Sequence, residues 1–436
     1  MHIYTNPPRK DWEAILTRPS QNFKKIEKIV KPIIKKVKKK GDRALKQFAL
    51  EYDHAELDKI EVTKAEISKA EKQVSSELKT AIQTAYHNIE AFHTAQREEP
   101  IAVQTMPGVM CMRKSVAIQK VGLYIPGGTA PLFSSVLMLG VPAKIAGCKE
   151  IVLCSPPNRE GKLHPAILYT AKLVGIEKIC KVGGAQAIAA MTYGTKTIPK
   201  VHKIFGPGNQ YVTVAKQIVS QKGVSIDMPA GPSEVAVYAD KTANPAFVAA
   251  DLLSQAEHGA DSQVLLVTTE KSLVEKVQKE ISKQISMLPR RDFAEAALEN
   301  SVVCIMKSTK DSIDLLNEYG AEHLIIATEA PREIMDSIVN AGSVFLGHYT
   351  PESAGDYASG TNHTLPTNGY AKSYSGVSLD SFVKKITYQE ISEEGLSLLG
   401  PTIEVMAEAE KLQAHKKAVS LRLAEILSKK PELQKK

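Results

Sequence analysis

The chain has 436 residues, a formal net charge of +8 at pH 7, 43% hydrophobic and 24% charged residues, which excludes a single small domain and a wholly disordered chain. No stretch approaches the roughly 20 uninterrupted apolar residues that a membrane-spanning helix needs, so no membrane partner is expected. The N-terminus MHIYTNPPRKDW lacks the apolar core of a signal peptide, and five scattered cysteines form no CxxC pair, so the expectation is a cytoplasmic protein with reduced thiols.

Residues 1–20 read as an N-terminal arm. Much of the positive charge follows in KKIEKIVKPIIKKVKKK (24–40), where Ile26, Ile29, Val30, Ile33, Ile34 and Val37 recur at helical spacing. The lysines therefore fall mainly on the opposite, solvated face. No zinc-finger spacing, RNA-binding aromatic motif or arginine-rich tract accompanies them, and no nucleic-acid partner is expected. Pro32 is expected to kink or divide this helix.

The middle of the chain alternates strand and helix. Strands are predicted at 150–154, 178–182, 201–205, 234–238, 263–268, 302–306 and 343–346, with amphipathic stretches such as 165–174, 246–255 and 272–287 between them. That alternation predicts an α/β fold with two parallel sheets wrapped by helices. Gly and Pro cluster at 122–131, 206–209 and 229–232, marking turns at strand ends, where open α/β sheets place ligands. From residue 377 the chain becomes helical and charged, and reads as a terminal arm.

Chemistry-bearing patterns sit among these elements. Gly206-Pro207-Gly208-Asn209-Gln210-Tyr211 begins like a dinucleotide fingerprint, but Tyr211 stands in place of the third glycine. It is either a nucleotide site or a tight strand-to-helix turn. Gln255 and His258, three apart on a helix, share one face and could both reach a metal; a surface pair would look the same. Glu322-His323 precedes the apolar run Leu324-Ile325-Ile326 and could be plain surface or a general base with a water-activating neighbour. The loop from Gly347 to His363, containing His348, Glu352 and Asp356, is polar and glycine-rich, a type that often carries function.

Eight motifs together resemble the histidinol dehydrogenase family. They are VGLYIPGGTAPLFSSVLMLGVPAKIAGC (121–148), VGGAQAIAA (182–190), FGPGNQYVTVAK (205–216), IDMPAGPSEV (226–235), DLLSQAEHGADSQ (251–263), GAEHL (320–324), GSVFLGHYTPESAGDYASGTNHTLPT (342–367) and AEAEKLQAH (407–415). The resemblance implies an enzyme that oxidises L-histidinol through L-histidinal to L-histidine with two NAD+, in the last steps of histidine biosynthesis. It implies one Zn2+ per subunit held by Gln255, His258, Asp356 and His415, and a catalytic pair of Glu322 and His323. Ser233 and Glu410 match substrate-contacting positions, alongside the metal ligands and His323; Tyr124, Gln186 and Asn209 match NAD+ contacts. The implied architecture has two Rossmann-like domains with parallel sheets, of the aldehyde-dehydrogenase-like class, with an N-terminal helical segment and a C-terminal helical arm. The expected division is an arm at 1–20, a discontinuous metal-bearing domain at 21–124 and 233–376, and an NAD-side domain at 125–232. The arm at 377–436 is expected to be exchanged across a homodimer.

Two rival readings remain on sequence. One is thiol chemistry through Cys148 or Cys154, whose apolar neighbours suit an inert buried thiol better than a nucleophile. The other is a non-catalytic basic binding protein, which leaves Gln255, His258, Glu322, His323, Asp356 and His415 without a role.

Overall fold

A computed structural model describes residues 1–19, 23–127, 131–229 and 231–429. Residues 128–130 and 230, in two of the expected Gly/Pro turns, residue 20 of the expected N-terminal arm and residues 430–436 of the C-terminal arm lie outside them. The chain forms two compact units, one of Met1–Gln96 with Ile118–Phe382, the other of Arg97–Ala117 with the chain from Val383 onward. No helix of the described residues is long and apolar enough to cross a membrane.

The first unit holds two parallel sheets. The five-stranded sheet has β4 (Lys120–Tyr124) at its centre, flanked on one side by β5 (Glu150–Ser155) and β6 (Lys178–Lys181) and on the other by β7 (Lys203–Phe205) and β8 (Ser225–Ile226). The six-stranded sheet is built the same way around β9 (Glu234–Ala239). On one side lie β10 (Gln263–Thr268), β11 (Val302–Ile305) and, at the edge, β1 (His2–Thr5); on the other lie β12 (His323–Ala327) and β13 (Ser343–Leu346). All these pairings are parallel. Such strands must be apolar on both faces, and VAVY in β9, VLLV in β10 and LIIA in β12 are buried throughout. The strand order reverses beside β4 in one sheet, between β4 and β7, and beside β9 in the other, between β9 and β12, the two-sided topology expected of a Rossmann-like unit.

The expected strands are all present, with ends shifted by a residue or two. The N-terminal arm departs from expectation. Residues 2–5 form a parallel edge strand on β11, and Trp12 and Leu16 bury against one face of the same sheet. The helix Phe23–Lys40 buries Ile26, Val30, Ile33, Ile34 and Val37, leaves Ile29 exposed, and continues through Pro32 undivided.

The helices of residues 23–94 also differ from the expected division, which grouped them with the metal-bearing half. Ile26, Val30 and Val37 pack with Val212, Ala215 and Val152 on one face of the five-stranded sheet, while Ile82 and Ile89 pack with Leu137, Val121 and Leu153 on the other. An amphipathic stripe specifies that a helix covers a sheet, not which sheet it covers.

The second unit is an antiparallel sheet, β2 (Ile101–Met106), β3 (Val109–Ala117) and β14 (Val383–Ile391), in the order β14-β3-β2. It is followed by the helices Glu393–Ala409 and Gln413–Lys429, which pack on each other. The segment expected as a helical arm from 377 therefore begins in the first unit with the short 3-10 turn Leu379–Phe382 and continues as strand β14 before its helices. VKKITYQEI is largely exposed, so its charged residues hid the strand pattern. At the β2–β3 turn Gly108 has φ +75°, and a Cβ there would lie 2.3 Å from the Ser392 hydroxyl, so the turn and the start of the helix require glycine.

Candidate active site

The catalytic candidates gather at the amino edge of the six-stranded sheet. His323 is the first residue of β12 and pairs with Val235 of β9 and Ser343 of β13. Glu322 precedes it, and both are buried, at 7% and 3% exposure. Glu322 Oε2 accepts the backbone N–H of Glu234 at 3.0 Å and lies 3.7 Å from His323 Nδ1. His323 Nδ1 lies 3.3 Å from the carbonyl oxygen of Glu234. A carbonyl only accepts, so Nδ1 carries a hydrogen, and in the neutral form of the ring Nε2 presents the lone pair. Nε2 is buried without a hydrogen-bond partner, 3.4 Å from Asp356 Oδ1 but not aligned for a hydrogen bond.

Asp356 stands on the short helix Glu352–Tyr357, and the neighbouring residue lets that helix dock. A Cβ at Gly355 would meet the Phe345 ring at 2.8 Å, the ring whose centroid lies 5.9 Å from that of His323. Gln255 lies in the last turn of the helix Pro245–Ala256, and a turn from the His258 N–H to the Gln255 carbonyl, 3.1 Å, follows it. The pair thus straddles a helix end rather than lying on one continuous helical face as its spacing implied. Gln255 is buried; its Nε2 donates to Glu352 Oε1 at 2.9 Å, and its Oε1 has no partner. Ser233 lies half-buried just before β9, its carbonyl accepting from the Gln263 N–H at 3.3 Å.

The charges of this cluster are unbalanced. Burial pushes the Glu322 and Glu352 carboxyls up, and each sits among other carboxylates. Burial would lower His323, but Glu322, Asp356 and Glu352 outweigh it and raise its affinity for a proton. Asp356 goes the other way: burial would raise it, yet His323, His363 and His258 together hold it below the usual carboxylate range. His258, exposed on its outer side, is held down by desolvation of its ring, which outweighs the pull of Asp356. A neutral imidazole, an ionised carboxylate and an unpartnered amide oxygen, set in an excess of carboxylate, fit a divalent cation chemically. Among the described residues, no three His, Cys, Asp or Glu side chains stand together as a metal-binding group. Glu410 and His415 belong to the second unit, exposed where the helix Glu393–Ala409 gives way to Gln413–Lys429.

The nucleotide-side candidates lie at the opposite kind of edge, the carboxyl ends of the five-stranded sheet. Tyr124 ends β4, and its hydroxyl accepts the Gly184 N–H at 3.1 Å. Gln186 is buried in the first turn of the helix Gly184–Tyr193. Asn209 caps the helix Gln210–Ser220, its side-chain oxygen accepting from the N–H groups of Tyr211 and Val212 at 3.0 and 3.2 Å. Beneath this loop the buried Lys216 pairs with Asp227 and donates to the Gly206 carbonyl at 2.9 Å, while Asp227 accepts the Gly206 N–H at 2.8 Å.

Two further residues of the polar loop bear on the site, and one of them, His363, ties these edges together. His363 accepts or donates at both nitrogens: Nδ1 lies 2.8 Å from the Asp356 carbonyl and Nε2 lies 3.1 Å from Ser135 Oγ, in the first turn of the helix that follows β4. Glu352, one turn before Asp356, is 1% exposed; its Oε1 accepts from Ser254 and Gln255, and its Oε2 has no partner. The loop was singled out in the sequence without roles for these two. The Glu352–Asp356 spacing of four, which puts two carboxylates on one helix face, was the available signal.

The thiol reading finds no support in the geometry. Cys148 and Cys154 are buried; desolvation pushes Cys148 up to about 12, and the neighbouring Cys180 together with burial holds Cys154 well above its usual range. Neither presents a thiolate.

Comparison with known proteins gives one consistent answer. The family model described as histidinol dehydrogenase matches residues 16–423. A histidinol dehydrogenase of Bacteroides fragilis is 61% identical over 98% of this chain and 100% of its own length, and one of Vibrio parahaemolyticus is 52% identical over 97% and 98%. The crystal structure of histidinol dehydrogenase from Elizabethkingia anophelis superposes with a TM-score of 0.96 at 54% identity, covering 98% of each chain.

Proposed function

The chain belongs to the histidinol dehydrogenase family and is an oxidoreductase of histidine biosynthesis; we propose that it oxidises L-histidinol by way of L-histidinal at the amino edge of the six-stranded sheet. The NAD+ that accepts the hydride, two per histidinol, would lie at the carboxyl ends of the five-stranded sheet against Tyr124, Gln186 and Asn209. The observation that carries this reading is the bridge Ser135–His363–Asp356–His323, which joins the first turn after β4 to the catalytic pair. It supports a reading in which the cofactor-side edge and the proton-transfer groups serve one reaction.

Gln255, His258, Asp356 and His415 would hold one zinc ion per subunit, which would supply a fixed Lewis-acidic anchor for the amine and imidazole of histidinol. His323, through the bare Nε2, would take the hydroxyl proton as hydride leaves the carbinol carbon. Glu322 would take a proton from the water that adds to the aldehyde, and burial makes it a stronger base than a solvated carboxylate. Once His323 has passed its first proton to solvent, it would accept the proton released from the hydrated aldehyde in the second oxidation. Ser233, at the start of β9, would contact the substrate, and the Glu410 carboxylate would meet its ammonium.

A homodimer would complete the site, with Glu410 and His415 supplied by the partner's second unit. That unit buries few apolar side chains of its own helices, Ala407 and Ile426 among them, whereas Leu398, Val405, Met406, Leu421 and Leu427 are each more than half exposed. Such surface calls for a covering partner. We place the enzyme in the cytoplasm, with its substrate pool. The test is NADH formation on adding histidinol and NAD+ to the zinc-loaded protein, its loss on chelation, and its return with zinc. No NADH from a folded, zinc-loaded sample would overturn the reading, and full activity in a verified metal-free sample would overturn the metal.

A further inference from the structure

Both catalytic candidates are held by the backbone of one residue. Glu234 opens β9, where the first N–H and C=O are not fully taken up by the ladder. Its N–H goes to Glu322 Oε2 at 3.0 Å, and its C=O faces His323 Nδ1 at 3.3 Å. The position of this one peptide segment therefore sets the orientation of the water-activating carboxylate and the tautomer of the imidazole together.

The side chain of Glu234 is in turn anchored from the far end of the sequence. Arg18 donates to it in a fork, Nε to Oε1 at 2.9 Å and Nη2 to Oε2 at 2.6 Å, and the Asn368 N–H also donates to Oε1. Arg18 is itself fixed: Nη2 donates to the Tyr319 carbonyl at 2.8 Å, and the guanidinium lies 4.0 Å from the centre of the Tyr319 ring. Tyr319 closes the cluster through its hydroxyl, which donates to Gln263 Oε1 at 3.0 Å. The carboxylate side chain is 3% exposed and the guanidinium side chain 17%. Buried ion pairs are often no more stable than apolar residues of the same shape, and their clearest use is to fix one geometry out of several. A forked guanidinium–carboxylate pair fixes both distance and plane.

We propose that Arg18 is a positioning residue for the oxidation. Acting through Glu234, it holds the N–H and C=O that orient Glu322 and His323, so the N-terminal segment that flanks the six-stranded sheet is part of the catalytic apparatus. This rests on the reading of Glu322 and His323 as the catalytic pair. Removing Arg18 leaves a buried carboxylate without its cation, and the start of β9 loses the contact that fixes it. The metal ligands share none of these bonds, so metal content should be untouched.

The test assays full-length, zinc-loaded Arg18→Ala, Arg18→Lys, Glu322→Gln and the double variant Arg18→Ala/Glu322→Gln with histidinol and with histidinal. Arg18→Ala should lose at least about tenfold in kcat for histidinal, as misplacements approaching 1 Å do. KM for histidinal should stay within about twofold and zinc at wild-type content. Arg18→Lys, which keeps the charge but not the fork, should recover part of the loss. In the Glu322→Gln background Arg18→Ala should cost little more, because the groups act in series. If Arg18→Ala does not fold, Glu234→Gln, which keeps the backbone bonds and weakens the fork, should show the same selective loss in kcat. Losses that multiply in the double variant, or a lowered Tm with wild-type kcat, would overturn the positioning role alone. A Glu322→Gln enzyme that oxidises histidinal normally would overturn the catalytic assignment and the positioning role with it.

Discussion

Replacing Gly206 by Ala tests whether the five-stranded sheet carries NAD+. Gly206 follows β7 with φ +132°, where an L side chain is strained, and a Cβ there would lie 2.0 Å from the Tyr124 carbonyl oxygen. Ordinary contact begins at 3.4 Å, so the loop or the end of β4 must retreat by about 1.4 Å. Neither yields freely, because β4 is central in its sheet and Gly206 is held by Asp227 and Lys216. The displaced segment is the one carrying Asn209, and the strand it pushes on ends in Tyr124. Misplacement on the order of 1 Å in a reacting pair costs about a hundredfold in rate. The variant should therefore lose about a hundredfold in kcat/KM for NAD+, measured as initial NADH formation at saturating histidinol. Bound zinc should not change, since the helices that carry Gln255 and Asp356 stand with the other sheet. Asn209→Ala is the milder companion: it removes the helix cap, worth about 1 kcal/mol, without the clash, and should raise KM for NAD+ by less. A folded Gly206→Ala protein with wild-type KM for NAD+ would refute the placement of the cofactor.

Other outcomes follow from the same geometry. His323→Asn should impair oxidation of both histidinol and histidinal, whereas Glu322→Gln should chiefly slow the histidinal step; equal damage to both steps by Glu322→Gln contradicts its assigned role. His258→Ala and His415→Ala, each inactive, should recover about one quarter of wild-type activity when dissociated and reassociated together, because about half of the dimers are mixed and each mixed dimer contains one intact site. No recovery, with mixing confirmed, would show that His415 serves its own chain. Asp53, at the end of the helix Asp42–Tyr52, has a buried Oδ2 without a partner, and desolvation pushes its carboxyl up to about 6. Since its unfolded value is about 3.9, the native state binds this proton more tightly and loses stability as pH rises from about 4 through about 6. Asp53→Asn should raise Tm at pH 8 and change it little at pH 4; a fall in Tm at pH 8 counts against the desolvation argument.

Much of this organisation was legible in the sequence because parallel strands buried on both faces leave continuous apolar runs. β5, β9, β10 and β11 were visible for that reason. The edge strand β1 was not, since HIYT is short, polar at both ends and exposed. β14 was hidden by solvent-facing lysines and glutamate, and the helices of residues 23–94 gave no sign of which sheet they cover. The candidate residues could be named from the sequence, but not where the fold sets them. Strand-end turns suggested ligands at carboxyl ends, which fits Tyr124 and Asn209, yet Glu322 and His323 stand at an amino edge. The role of Glu234 rests on its own N–H and C=O, groups that every residue carries, so no residue type announces it. Arg18 lies 216 positions away from its partner, and only the folded chain brings the two together.

The most direct measurement is a structure of the zinc-loaded enzyme with histidinol, with the metal located by its anomalous scattering. One ion per subunit is expected, ligated by Gln255, His258 and Asp356 of one chain and His415 of its neighbour, with the carbinol carbon of histidinol within reach of His323 Nε2. An ion bound away from Gln255 and His258, or a substrate whose carbinol lies out of reach of His323, would contradict it.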